Sequence, residues 1–294
     1  MGRTLEISAD RMICFFPAFC DTFLSFGLPV NMIQISLLLI SFLVVVSSTS
    51  TFAGTSSGVD AALLQTLETD LSPLCEACQS VDRLNSAIRD NTLAKSLARE
   101  KLLRAISSVR QEYYRAGGAD FERSRWVFPL EGYGPRAIGG GRRHGFAARG
   151  YDFYSGNRHG GHPSYDIFIR DRNQDSLDDR TGRPVAVVSM TGGVVVALER
   201  HWEEGSKLRG GKYLWVYDPA NELLVYYAHN GELSVELGTI VRPGDKLGTV
   251  GRSGWNAAKK RSPTHLHLTV LKVKPDGSLV PLQVYRELKK ALLT

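Results

Sequence analysis

His265 and His267 stand one residue apart in Thr264-His265-Leu266-His267-Leu268. Side chains of an extended strand alternate with period two, so both imidazoles fall on one face. Such a face can hold a metal. A catalytic zinc takes three protein ligands and keeps a fourth position open for water, so further donors must come from elsewhere in the chain. About a hundred residues upstream, His162-Pro163-Ser164-Tyr165-Asp166 offers an imidazole and a carboxylate four apart, and Tyr226-Tyr227-Ala228-His229-Asn230 lies between the two clusters. Each piece alone has an ordinary explanation as an exposed or core pair. The three in this order, with their flanks, point to a metal centre, because a motif counts only in its context. His144, His159 and His201 sit in glycine-rich or charged surroundings, where a solvated loop is the default. Of these, only His159, in Asn157-Arg158-His159-Gly160-Gly161, is placed to line a cleft.

The order H-x-x-x-D, Y-A-H, H-L-H resembles the lysostaphin-type, LytM-like zinc endopeptidases, which cut the peptide part of peptidoglycan. The resemblance runs from about Trp126 to the C-terminus and includes Thr191-Gly192-Gly193-Val194-Val195, Val241-Arg242-Pro243-Gly244-Asp245-Lys246-Leu247-Gly248 and Val250-Gly251-Arg252-Ser253-Gly254. It implies that His162, Asp166 and His267 ligate Zn2+, with His265 and His229 as the unliganded catalytic histidines. Ser164 stands where the family usually has glycine.

The composition is that of a globular chain, 43% hydrophobic and 22% charged, with a formal charge of +6 and a pI near 9.1. The basic residues are scattered and no nucleic-acid signature accompanies them, so nucleic acid is not an expected partner. An anionic wall or membrane surface suits the charge. Residues 1–31 carry no legible fold, and Met12 or Met32 is an alternative start. Met32 to Ala53 is apolar, with a core at Leu37–Val46 and small residues after it, as in a signal peptide. It also approaches the ~20 residues of a membrane anchor. Either route exports the protein to the periplasm, envelope or exterior.

Asp60–Gly117 reads as helical, with Leu67, Leu71, Leu74, Cys78 and Val81, then Ile106, Val109 and Tyr113, forming apolar stripes. Ser72-Pro73 suits a helix start and Gly117-Gly118 a helix end. The pair is either a hairpin that spaces the enzyme from a membrane or covers its groove, or a helix pair packed simply as structure. Cys75-Glu76-Ala77-Cys78 falls in the first turn, where a local disulfide, two free thiols or metal and redox chemistry remain open. No βαβ pattern surrounds it, against a thioredoxin-like role.

Trp126–Leu130 reads as a short edge strand ended by proline. Val185–Val188, Gly193–Leu198, Tyr213–Tyr217, Leu223–Ala228, Leu247–Val250 and Leu266–Val273 read as further strands, with Asp218-Pro219-Ala220-Asn221 as a turn. The expected class is α+β: a mainly antiparallel β domain over 126–290, preceded by a helical region at 60–117 and an N-terminal extension at 1–53. Asp171, Asn173, Asp175 and Asp179 space oxygen ligands as a Ca2+ loop does, although Ser176 replaces its glycine and Gly182 its glutamate. A solvated acidic turn is the alternative. Tyr165 and Tyr227 could reach the cleft, but strand tyrosines more often lie in the core.

The function these features support is zinc-dependent peptide hydrolysis in the cell envelope. Two other readings share them: a non-catalytic wall-binding or hydrolase-activating module on the same fold, and an envelope assembly protein working through its helical region.

Overall fold

A computed structural model describes residues 75–294. The expected hydrophobic segment at Met32–Ala53 and the helix start at Ser72-Pro73 lie outside the described residues. Among those described, no helix is long and apolar enough to cross a membrane.

The architecture is α+β and mainly antiparallel. Nine strands run in chain order: β1 (Ser164–Phe168), β2 (Ala186–Val188), β3 (Gly193–Glu199), β4 (Lys212–Asp218), β5 (Leu223–Leu233), β6 (Ile240–Val241), β7 (Lys246–Val250), β8 (His265–Val273) and β9 (Leu279–Pro281). They join in the order β1-β8-β5-β4-β3-β6, while β7 bridges β5 to β2 and β9 pairs with β8. Trp126–Leu130 makes isolated bridges through Val127 and Leu130 rather than the expected edge strand.

The central strands are buried on both faces, which explains their almost unbroken apolar runs. Tyr165, Ile167, Leu214, Val216, Tyr227, Leu266 and Leu268 point into one core, shared with Trp126, Phe128 and Leu247. Tyr213, Trp215, Tyr217, Leu224, Ala228 and Leu271 point into the other, shared with two helices, α1 (Glu76–Arg89) and α2 (Lys95–Arg115). Alternate residues of one strand therefore serve different layers. A short helix, α3 (Tyr285–Lys290), follows the last strand.

The sequence suggests one helix running to Gly117, but the chain breaks it at Asp90. Asn91 takes a left-handed backbone (φ 56°), and Asp90-Asn91-Thr92 supplies polar residues that favour a turn. α1 and α2 then pack together and onto the sheet through Val81, Ile88, Leu102, Ile106, Val109 and Tyr113. Each such aliphatic side chain contributes about 1.5–3 kcal/mol when fully buried. Cys75 and Cys78 form a disulfide, and the Cys75 sulfur accepts the Cys78 amide at 3.1 Å as an N-cap. Polar ties fix α1 to the sheet: Asn85 donates to the Tyr213 hydroxyl at 3.0 Å, Asp82 accepts the Leu198 amide at 3.0 Å, and Arg89 pairs with Glu199 at 2.8 Å.

Candidate metal centre and its pocket

The sheet register assembles the centre. Asp166 lies opposite His267 in the β1–β8 pairing, and Ala228 lies opposite His267 on the other side. Period-two alternation puts His265, His267 and Thr269 on the face that also carries α1. His162 precedes β1 and is tied to Ala147 by a reciprocal pair of backbone hydrogen bonds at 2.7 and 2.6 Å.

Asp166 Oδ1 lies 3.0 Å from His267 Nδ1, 3.3 Å from His162 Nε2 and 3.7 Å from His265 Nε2. A tetrahedral zinc bonded at 2.0–2.1 Å to each ligand keeps its donors about 3.3–3.4 Å apart. The donor set of His162, Asp166 and His267, with all its ligand atoms within 4.8 Å of one another, fits such an ion. His229, His265 and His267 form a second group by the same measure. The first suits a dication better, because its carboxylate offsets charge. Burial would raise the Asp166 carboxyl, yet hydrogen bonds from His162 and His267 hold it well below the usual carboxylate range.

Tautomers follow from the other ring nitrogens. Nδ1 of His162 faces the Gly145 carbonyl at 3.0 Å, Nδ1 of His229 faces the Ser253 carbonyl at 2.8 Å, and Nδ1 of His265 faces the Pro263 carbonyl at 2.7 Å. A carbonyl only accepts, so each Nδ1 carries the proton; Nε2 of neutral His229 and His265 then keeps its lone pair, while Nε2 of His162 is the atom that faces Asp166. Burial lowers the pKa of His229 well below its ordinary value, helped by His267 and His265. Burial also lowers that of His265. Both are neutral acceptors at neutral pH.

His229 reaches the centre by a backbone irregularity. Tyr227 points into the opposite core, fully buried, and its hydroxyl accepts the Met190 amide at 2.8 Å. Strict alternation would send His229 the same way. Instead His229 adopts φ 66°, and the β5 register shifts beyond Asn230, which turns its ring toward His265 and His267 at centroid distances of 5.0 and 5.4 Å. Gly254 backs the ring; a Cβ there would lie 2.8 Å from His229 Nδ1.

These groups open into a pocket of about 300 Å³. Tyr151, Phe153, Tyr213, Trp215 and Tyr226 form an aromatic wall, and Asn85, Ile88 and Arg89 of α1 close one end. His159 lines the pocket as expected; His201 is exposed, and His144 stacks on Tyr285 at 3.7 Å. Ser164, in the place of the family glycine, is buried and bonds Thr269 Oγ1 at 2.6 Å. Of the two alternatives for the strand tyrosines, the core is the one observed. Tyr165 and Tyr227 are core residues, whereas their neighbour Tyr226, one alternation step away, faces the pocket.

The acidic loop departs from the calcium expectation. Asp171 accepts the Asp175 and Ser176 amides at 3.1 and 2.8 Å and the Thr264 hydroxyl at 2.6 Å. Asp175 accepts from Leu177 and from Asn173 Nδ2, and Asp179 accepts the Arg172 amide. The acids satisfy their own loop. Asp171, Asn173, Asp175 and Asp179 do not assemble into a cation site among the described residues, and calcium is unsupported.

Comparison with known proteins follows the same lines. Residues 174–279 match peptidase family M23. The match bears out the lysostaphin-type resemblance of the motifs. The M23 segment contains His229, His265 and His267 but begins after His162 and Asp166, whose membership in the centre rests on geometry. No curated protein matches the sequence. Among solved structures, a LytM protein of Ruminococcus gnavus is 28% identical over 44% of this chain and 47% of its own, with a TM-score of 0.33. A zinc-containing peptidase of Vibrio cholerae is 20% identical over 60% and 41%, with a TM-score of 0.34. The lysostaphin catalytic domain of Staphylococcus simulans is 18% identical over 43% and 77%, with a TM-score of 0.30. The chain thus spans less than half the length of the first two.

Proposed function

We propose that the protein is a zinc-dependent endopeptidase that hydrolyses peptide bonds of peptidoglycan outside the cytoplasm. One observation carries the reading: His162, Asp166 and His267 converge at a pocket into which His265 and His229 present unprotonated Nε2 atoms. His162, Asp166 and His267 would hold the metal. Zinc, when bound, lowers the pKa of its water toward ~7 and polarises a peptide carbonyl.

His265 Nε2, in the site and neutral, accepts a proton from the attacking water as general base. His229 has its Nδ1 proton committed to Ser253, so its Nε2 can donate to an oxyanion or a leaving amine only after taking up a proton. It therefore acts as a proton relay, and stabilisation of an oxyanion by His229 belongs to the protonated half of that cycle. Tyr226 and Trp215 exclude water from one side of the reacting group.

The M23 match supports peptide hydrolysis. The Cys75–Cys78 disulfide suits an oxidising compartment, in keeping with export through the N-terminal segment as signal peptide or anchor. The test is digestion of purified peptidoglycan by the zinc-loaded full chain, with product masses read by mass spectrometry. New peptide termini identify the bond cut. Intact peptidoglycan with zinc bound would leave the wall-binding module as the function.

A further inference from the structure

Two arginines line the pocket, and only one has its charge compensated. Arg89 is held by Asp90, Glu199 and the Tyr213 hydroxyl. Arg209, just before the Gly210-Gly211 pair that leads into β4, donates only from Nη1, to the carbonyl oxygens of Asn157 at 3.4 Å and His159 at 3.1 Å. No ion pair forms at Arg209, and its Nε and Nη2 have no partner, among the described residues. The two carbonyls fix the guanidinium in direction without neutralising it.

The position of this cation is set by the site itself. The carbonyl of Gly210, the next residue, accepts the amide of His229 at 2.9 Å. The carbonyl of Leu208, the residue before, accepts the amide of Trp255. Arg209 is thus pinned between the His229 strand and the 255–262 loop. Its neighbours on the rim have the same sign. Arg158 lies between the lining residues Asn157 and His159, and Lys260 and Arg261 lie between the lining residues Ala257 and Ser262. All three are exposed, and their side chains form no ion pair among the described residues. On the pocket segments, Asp152 is already paired with Lys95 at 2.7 Å, and Asp166 belongs to the metal set. An oriented guanidinium with two unused donor positions is the shape that receives a carboxylate.

We infer that Arg209 receives a carboxylate of the substrate and makes the site selective for acidic peptides over neutral ones. The inference rests on the proposed peptidase reading for the claim that a peptide enters this pocket. The aromatic wall supplies apolar area, the surrounding cations raise the local concentration of anions, and Arg209 fixes which peptide position carries the charge.

The experiment uses the zinc-loaded full chain and N-acetylated, C-amidated alanine peptides, each with a single Glu at one position, together with Gln twins. Binding is read by calorimetry. For at least one position the Glu peptide should bind on the order of ten-fold more tightly than its Gln twin, a discounted charge-assisted hydrogen bond at an exposed site. R209Q should remove that preference and R209K should keep part of it, with zinc content and melting temperature unchanged in both. Added salt should shrink the preference. A parent protein with no Glu preference at any position, or an R209Q protein that keeps it, overturns the inference. Peptidoglycan digestion by the parent is scored separately. A protein that binds Glu peptides through Arg209 yet cuts nothing refutes the peptidase reading and leaves the carboxylate receptor standing.

Discussion

Gly156→Ala tests how the helical hairpin is joined to the pocket. Gly156 lies in the 3-10 turn Phe153–Arg158 with φ 50° and ψ −136°. A Cβ there would sit 2.2 Å from the carbonyl oxygen of Ile88 and 2.6 Å from that of Arg89. Both oxygens are backbone of the last turn of α1 and cannot rotate away. The backbone conformation costs an L-residue about 1–3 kcal/mol, and relieving the contact by shifting loop or helix costs about 1–3 kcal/mol more. Reduced freedom of the unfolded chain returns about 0.4–1 kcal/mol. The net loss is about 1–5 kcal/mol, a large part of the roughly 5–15 kcal/mol that a typical domain has. Urea unfolding of the zinc-loaded protein at matched slope measures it. Because Asn157 and His159 hold Arg209, the same variant should bind Glu peptides more weakly. A loss below about 1 kcal/mol with unchanged peptide binding would refute the close packing of loop on helix.

Three further outcomes are expected. His267→Ala should lose zinc and thermal stability together, since metal binding is linked to folding, whereas His265→Ala should keep its zinc while turnover falls on the order of 10²- to 10⁴-fold; elemental analysis with a cleavage assay distinguishes them, and the reverse pattern exchanges the roles. Because burial lowers the pKa of both His229 and His265 beneath 6.5, both stay neutral as pH falls to that value, and the acid limb of kcat/KM should lie below pH 6.5; a limb above neutrality would contradict the burial-lowered pKa of the two histidines. Calcium added to the zinc-loaded protein should leave Tm unchanged, since Asp171 is already satisfied by Thr264 and its own loop; a rise of several degrees would restore a cation to the loop.

Much of the centre is legible because strand geometry is regular. Period two alone places His265 and His267 on one face, and Asp166 follows by pairing with His267. The strand that carries Asp166 was harder to see, since Ser164–Phe168 is short and follows glycines and a proline. Where regularity fails, so does the reading. Alternation alone would give Tyr227 and His229 the same face, but the left-handed backbone at His229 reverses it there, so Tyr226 and His229 share the pocket instead. The helix break at Asp90–Leu93 contains neither glycine nor proline, and only Asn91 marks it. That the helical pair covers the groove is one of the sequence's alternatives, but which residues do so is not legible, because Asn85 and Arg89 meet Tyr213 across more than a hundred residues. Arg209 gave no signal of its own among the scattered basic residues.

The backbone of His229 sets selection for a stable fold against selection for chemistry. A histidine held at φ 66° gives up about 1–2 kcal/mol that glycine would not, in a strand otherwise packed from both sides. Left to drift under stability alone, position 229 would move toward glycine or asparagine, keeping the sheet, the hairpin and the proposed metal donors while losing the proposed proton carrier. A sequence designed computationally for this backbone would make the same substitution early. Under the proposed function, His229→Gly is therefore the substitution that would relieve strain while removing the proposed proton carrier.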